Sequence, residues 1–139
     1  MKKNVMLIFA CALLLFSCKD KNTYDPTSLT GGWQCQEQGS LSQPRNYPVN
    51  IERDPIAIDT STYLIHNFYK TGFETDVYFS SKDNVIEIPS QGIEGIDGIS
   101  QYRISGHGKI SSDLKSIELK YEVTIYEGID YVNSIYTRN

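Results

Sequence analysis

Ile117-Glu118-Leu119-Lys120-Tyr121-Glu122-Val123-Thr124-Ile125 alternates apolar and polar side chains without a break over nine residues. In an extended chain successive side chains point to opposite faces, so this order places five apolar residues on one face and four polar ones on the other. A helix would scatter the same five around its circumference. The stretch therefore predicts a half-buried β-strand. Weaker forms of the same alternation predict strands over Trp33 to Gln38, Tyr47 to Glu52, Thr62 to Tyr69, Glu74 to Ser80, Asn84 to Ile88, Gln101 to Ser105 and Tyr131 to Thr137.

The punctuation between these segments is that of hairpins. Lys70-Thr71-Gly72, Lys82-Asp83-Asn84, Ser111-Ser112-Asp113 and Glu127-Gly128 each join two candidate strands over a few residues, so consecutive strands are expected to pair antiparallel. About eight short strands with almost no helical pattern predict an all-β fold, an antiparallel meander closing into a small barrel, with a β-sandwich as the alternative. Closure is favoured because it removes exposed strand edges. Gln91 to Gly98 carries three glycines and no clear period, and reads as a long loop at one rim.

Residues 1–17 form a different kind of segment. Lys2 and Lys3 precede twelve continuously apolar residues, Val5 to Phe16, and a small Ser17. As a helix the apolar run would be about 18 Å long, too short for a hydrocarbon core of about 30 Å, so it reads as a cleavable signal rather than a membrane span. Cys18 follows directly. Asn22 to Ser28 is polar, aperiodic and interrupted by Pro26, and reads as a tether. The expected organisation is a signal peptide at 1–17, a lipidated N-terminus and tether at 18–28, and a β domain at 29–139.

Charge and cysteine content narrow the function classes. Removing Lys2 and Lys3 with the signal leaves 11 basic residues against 17 acidic ones, a net charge of −6. Such a surface disfavours nucleic acid and basic-patch binding to anionic lipid. With Cys11 cleaved away and Cys18 acylated, Cys35 has no intramolecular partner and is expected to be buried and inert. A domain of about 110 residues buries enough surface to be stable without a disulfide.

Leu15-Phe16-Ser17-Cys18 resembles the lipobox of diacylated bacterial lipoproteins, with Phe16 standing where Ala, Ser or Val is usual. The resemblance implies acyl chains on Cys18, and two or more chains hold a protein lastingly to a bilayer. Lys19-Asp20-Lys21 loosely resembles the charged export tag of surface lipoproteins of the Bacteroidota. Gly31-Gly32-Trp33 matches the Gly-x-Trp that opens the barrel in lipocalins and other calycins. Together with Tyr63 to Phe68, Ile86 to Gln91 and Ile104 to Ser111, the chain resembles small lipocalin-like lipoproteins of the Bacteroidota. That resemblance implies a barrel closed by Arg138 packed over Trp33, a contact of about 0.5–2 kcal/mol. It also implies an outer-membrane location, periplasmic or surface-exposed.

Catalytic, metal and cofactor chemistry finds little support. His66 and His107 lack the spacing of a metal pair. His66 is out of phase with Tyr63 and Ile65, which implies a surface or rim position, and His107 between Gly106 and Gly108 reads as part of a bend or bulge. Glu94 and Asp97 lack the further oxygens of a calcium loop and read as solvated acids. Tyr126 and Tyr131, flanking the last hairpin, are the candidate exposed platform for a ligand. The expectation is a non-enzymatic, envelope-anchored binding module for a small apolar molecule or a sugar. The alternative is a structural or interaction subunit of an outer-membrane complex.

Overall fold

The computed structural model describes residues 28–138, so the signal segment, Cys18 and the tether up to Thr27 lie outside the described residues. Eight strands follow one another as a meander: β1 Gly31–Gly39, β2 Arg45–Arg53, β3 Thr62–His66, β4 Asp76–Lys82, β5 Val85–Glu94, β6 Gln101–Ile110, β7 Ser116–Ile125 and β8 Gly128–Thr137. Each pairs antiparallel with the next, and β1 pairs with β8 from Gln34↔Thr137 to Gly39↔Val132. The sheet is thus a closed barrel and not a sandwich. Alternation explains why: in β7, Ile117, Leu119, Tyr121 and Val123 are buried inside while Glu118, Lys120, Glu122 and Thr124 face solvent. Every strand needs a filled inner face, and only closure gives all eight the same interior.

Successive hairpins alternate between the two ends. Ser28 and the β2–β3, β4–β5 and β6–β7 connections lie at one end, and the other four hairpins form the mouth. At the first end Trp33 is almost completely buried and its indole N–H donates to the Leu29 carbonyl over 2.9 Å. The Arg138 guanidinium lies 4.4 Å from the Trp33 ring centre and also donates to the Ser28 carbonyl.

Three sequence expectations are corrected. The third strand stops at His66 rather than Tyr69, because Asn67 turns into the left-handed region with φ of 64°. Its side chain fixes the turn, donating to the Pro48 carbonyl over 2.7 Å and accepting from the Gly72 N–H over 2.9 Å. Phe68 and Tyr69 continue the apolar pattern in sequence, yet they fold as a short 3₁₀ turn, Phe68–Lys70, into the mouth.

The expected rim loop at Gln91 to Gly98 is strand in its first half. A bulge between Ile88 and Gln91 shifts the phase, after which Gln91 to Glu94 pair with Ile104 to Gln101, leaving only 95–100 as the turn. Backbone pairing of β4 with β5 covers only Ser80↔Glu87 to Lys82↔Val85. Beyond it the Gln91 side-chain amide bridges the gap, accepting from the Tyr78 N–H over 3.0 Å and donating to the Tyr78 carbonyl over 2.8 Å.

His107 sits in no bend or bulge. It is a regular, solvent-facing position of β6, paired with Glu87 and Lys120. The flanking glycines serve the inner face instead. A Cβ on Gly106 would lie 2.6 Å from the Lys120 carbonyl oxygen and 2.8 Å from Tyr121 Cα, and one on Gly108 would meet Glu118 and Leu119. Their absence of side chain lets β6 approach β7 closely where the wall curves.

Candidate functional site

The inner face changes character along the barrel axis. Trp33, Ile51, Phe79, Ile86 and Ile117 make one end apolar, Cys35, Tyr47 and Tyr136 lie at the middle level, and toward the mouth β1 contributes Glu37, β2 Arg45, β7 Tyr121, and β8 Asp130 and Ser134. Pairing aligns them: Glu37 lies between Arg45 and Ser134, and Cys35 between Tyr47 and Tyr136. The Glu37 carboxylate is fully buried, ion-paired to Arg45 at 2.5 Å and accepting from the Tyr121 hydroxyl. A lone buried charge would be costly, and the opposite charge of Arg45 together with the Tyr121 hydroxyl offsets it. Burial works against the charge on Arg45, but the Glu37 carboxylate together with Tyr47, Tyr69 and Tyr121 outweighs it and raises the guanidinium above its ordinary value.

The 3₁₀ turn roofs this cluster. Phe68 packs on Tyr121 with ring centres 4.5 Å apart, and Tyr69 meets Tyr102 edge-on at 6.0 Å. The Arg45 guanidinium lies 4.2 Å from the Tyr69 ring centre. The Tyr69 hydroxyl donates to Asp130 over 2.8 Å, and burial followed by that hydrogen bond pushes its pKa up to about 12. Burial also disfavours the Asp130 carboxylate, yet donors from Leu41, Ser42 and Tyr69 prevail and hold it below the usual range. Above the roof is a concavity of about 640 Å³, lined by Arg45, Tyr69, Ser100, Gln101, Tyr102, Thr124, Ile125, Tyr126 and Glu127.

This concavity offers aromatic surface from Tyr102 and Tyr126 beside the donors and acceptors of Gln101, Thr124, Glu127 and the outer edge of Arg45. Because Arg45 is already neutralised by Glu37, the mouth is no strong anion trap. Flat apolar faces next to amide, hydroxyl and carboxylate groups suit a ligand with an apolar face and a hydroxylated edge.

The expected platform residues are not together. Tyr126 projects fully exposed from the β7–β8 turn and lines the mouth, whereas Tyr131 stands on the outer wall of β8, in a groove of about 530 Å³ with Glu87, His107, Lys120 and Glu122. His66 ends β3 half-buried, with Nε2 2.9 Å from Glu52 and Nδ1 2.6 Å from Asp76. Among the described residues no group of three or more His, Cys, Asp or Glu side chains is arranged to hold a metal ion. Asp97 accepts from the Ile99 and Ser100 N–H groups and the Ser100 hydroxyl, closing its own turn. Cys35 is fully buried, and burial followed by the nearby Glu37 charge raises its thiol to about 12, leaving it protonated and unreactive.

Glu37 and Arg45 escaped the sequence reading although a signal was present. Glu37 shares its phase with Trp33 and Cys35, and Arg45 with Tyr47, Val49 and Ile51, so opposite charges occupy inward positions on neighbouring strands.

No family model matches this sequence, and no curated protein matches it. Among solved structures, a redesigned β-barrel aligns over 80% of this chain and 91% of its own at 11% identity, with a TM-score of 0.48. No function follows from that likeness.

Proposed function

We propose that this chain is a lipocalin-like lipoprotein anchored in the outer membrane through Cys18, whose barrel binds a small ligand with an apolar face and hydroxyl groups, a sugar in particular, at its mouth. It does no chemistry on that ligand and uses no cofactor. The observation that carries this reading is the concavity of about 640 Å³ in which Tyr102 and Tyr126 stand beside Gln101, Thr124 and Arg45. It exceeds the roughly 300 Å³ at which a small-molecule site begins. The 3₁₀ turn places Phe68 and Tyr69 between it and the interior, so the ligand sits on the mouth rather than deep in the barrel. The Gly31-Gly32-Trp33 opening with Arg138 over the indole supports the lipocalin-like reading.

The test is calorimetric titration of the full-length lipoprotein in zwitterionic nanodiscs with maltose, lactose and chitobiose. The expected result is saturable binding of at least one disaccharide, with Kd about 1 mM or tighter, lost in Tyr126→Ala and retained in Tyr131→Ala. Loss in Tyr131→Ala with retention in Tyr126→Ala would move the site to the outer wall. Saturation by none of the three would refute the sugar reading.

A further inference from the structure

Hairpin tips are ordinarily polar, yet each of the four at the mouth end presents a large apolar side chain to solvent. Leu41 stands on the β1–β2 loop, Phe73 on β3–β4, Ile96 and Ile99 on β5–β6, and Tyr126 on β7–β8. Ile96 and Ile99 are 77% and 83% exposed. At the opposite end, among the described residues, only the β2–β3 loop does the same, through Ile56 and Ile58, while the β4–β5 turn is Asp83-Asn84.

The tips also meet one another. A Cβ on Gly72 would come within 3.8 Å of the Ile96 side chain, and one on Gly128 within 3.8 Å of Leu41, so neighbouring loops lie close in pairs around the mouth. Apolar patches of about 300–600 Å² are the largest usual on a monomer and are often functional. The β5–β6 tip is held outward by its own hydrogen bonds: Gly95 N–H to Ser100 at 2.8 Å, Gly98 N–H to Gly95 at 2.9 Å, and the Asp97 cap. A rigid tip loses little freedom on binding.

Charge selects the occupant. The exposed ionised groups interleaved with these tips are Glu74, Glu94, Asp97 and Glu127 against Lys70, with Arg45 already matched by Glu37. An anionic bilayer would be repelled, and a second copy of the same face would set acid against acid. We infer that the mouth end is a docking face for a partner protein whose surface has an apolar centre ringed by Lys or Arg. The face points away from Ser28, at the end of the barrel opposite the first described residue. This inference goes beyond the sugar reading: the two share Tyr126 and Glu127, but the docking face rests chiefly on Leu41, Phe73, Ile96 and Ile99, none of which lines the concavity.

Two labelled 18-residue amphipathic peptides, a Leu/Lys helix and its Leu/Glu counterpart, test it by fluorescence anisotropy against the full-length lipoprotein in zwitterionic nanodiscs, with empty nanodiscs as the blank. The Leu/Lys peptide is expected to bind with Kd near 10 µM or about −7 kcal/mol, and the Leu/Glu peptide not to bind. Ile96→Ser/Ile99→Ser should weaken binding about tenfold or more, and Ile56→Ser/Ile58→Ser should not. Glu74→Lys/Glu94→Lys/Glu127→Lys should reverse the preference between peptides. All these positions are exposed, so the variants keep the fold, as circular dichroism will show. Equal affinity for both peptides, no binding, or indifference to the Ile96/Ile99 change overturns the inference. So does cosedimentation with phosphatidylglycerol vesicles, or dimerisation, that Ile96→Ser/Ile99→Ser abolishes, either of which would name a different occupant.

Discussion

Alanine at Gly106 tests the close approach of β6 to β7. The added Cβ would fall 2.6 Å from the Lys120 carbonyl oxygen and 2.8 Å from Tyr121 Cα, against an ordinary separation of about 3.5–4.0 Å. Those neighbours are backbone, and β6 is laddered on both sides to β5 and β7, so neither strand moves alone. Relief requires about 1 Å of separation along the β6–β7 seam, an overpacking cost toward the upper end of about 1–3 kcal/mol. The reduced freedom of the unfolded chain returns about 0.4–1 kcal/mol, for a net loss near 2 kcal/mol. At about 4 °C per kcal/mol this lowers Tm by roughly 8 °C. Gly108→Ala should behave alike. Gly32→Ala, with nothing within 4 Å of its Cβ, is the control and should stay within about 0.5 kcal/mol of the parent. Urea denaturation followed through Trp33, the only tryptophan of the chain, reads all three. A Gly106→Ala midpoint equal to that of Gly32→Ala would show that the two strands do not approach as described and that the interior there has spare room.

Three other perturbations follow from the same structure. Trp33→Ala removes a buried indole, its bond to Leu29 and the surface under Arg138, and should cost about 3–5 kcal/mol; a near-neutral melt would take Trp33 out of the core. Cys18→Ala should release the protein from membranes in a detergent-partitioning assay, whereas unchanged partitioning would exclude the lipid anchor. Acid should destabilise the fold through Asp97, whose carboxyl the Ser100 and Ile99 donors lower from 3.8 to about 2. Its contribution is complete above about pH 4 and is lost as pH falls toward 2. Asp97→Asn should therefore show a shallower fall in Tm between pH 4 and pH 2, and an unchanged slope would refute that assignment.

Where a strand's inner face is wholly apolar, as in β7, period-2 alternation is enough to reveal it, and the eight-strand antiparallel meander was legible for that reason. Legibility failed where phase was broken or continued misleadingly. The bulge after Ile88 inverts the pattern, so Gln91 to Glu94 look like loop although they are paired. Phe68 and Tyr69 keep strand phase in sequence, but the left-handed Asn67 redirects them into the mouth. Gly106 and Gly108 suggest a bend locally, while the constraint they answer comes from Tyr121 and Leu119 on another strand. The mouth was half legible. Tyr126 could be placed at a hairpin tip, but its neighbours Gln101 and Tyr102 from the start of β6 and Arg45 from the start of β2 come beside it only through the fold of the barrel.

The pairing of β1 with β8 has a consequence for how the molecule comes into being. Gln34 must find Thr137, so the seam that completes the wall joins residues about a hundred positions apart. Long-separation contacts form late and slowly, because the intervening chain must be ordered first. Until β8 emerges, a growing polypeptide displays two bare flanks, and any escort that keeps it from sticking to its neighbours must stay bound until then.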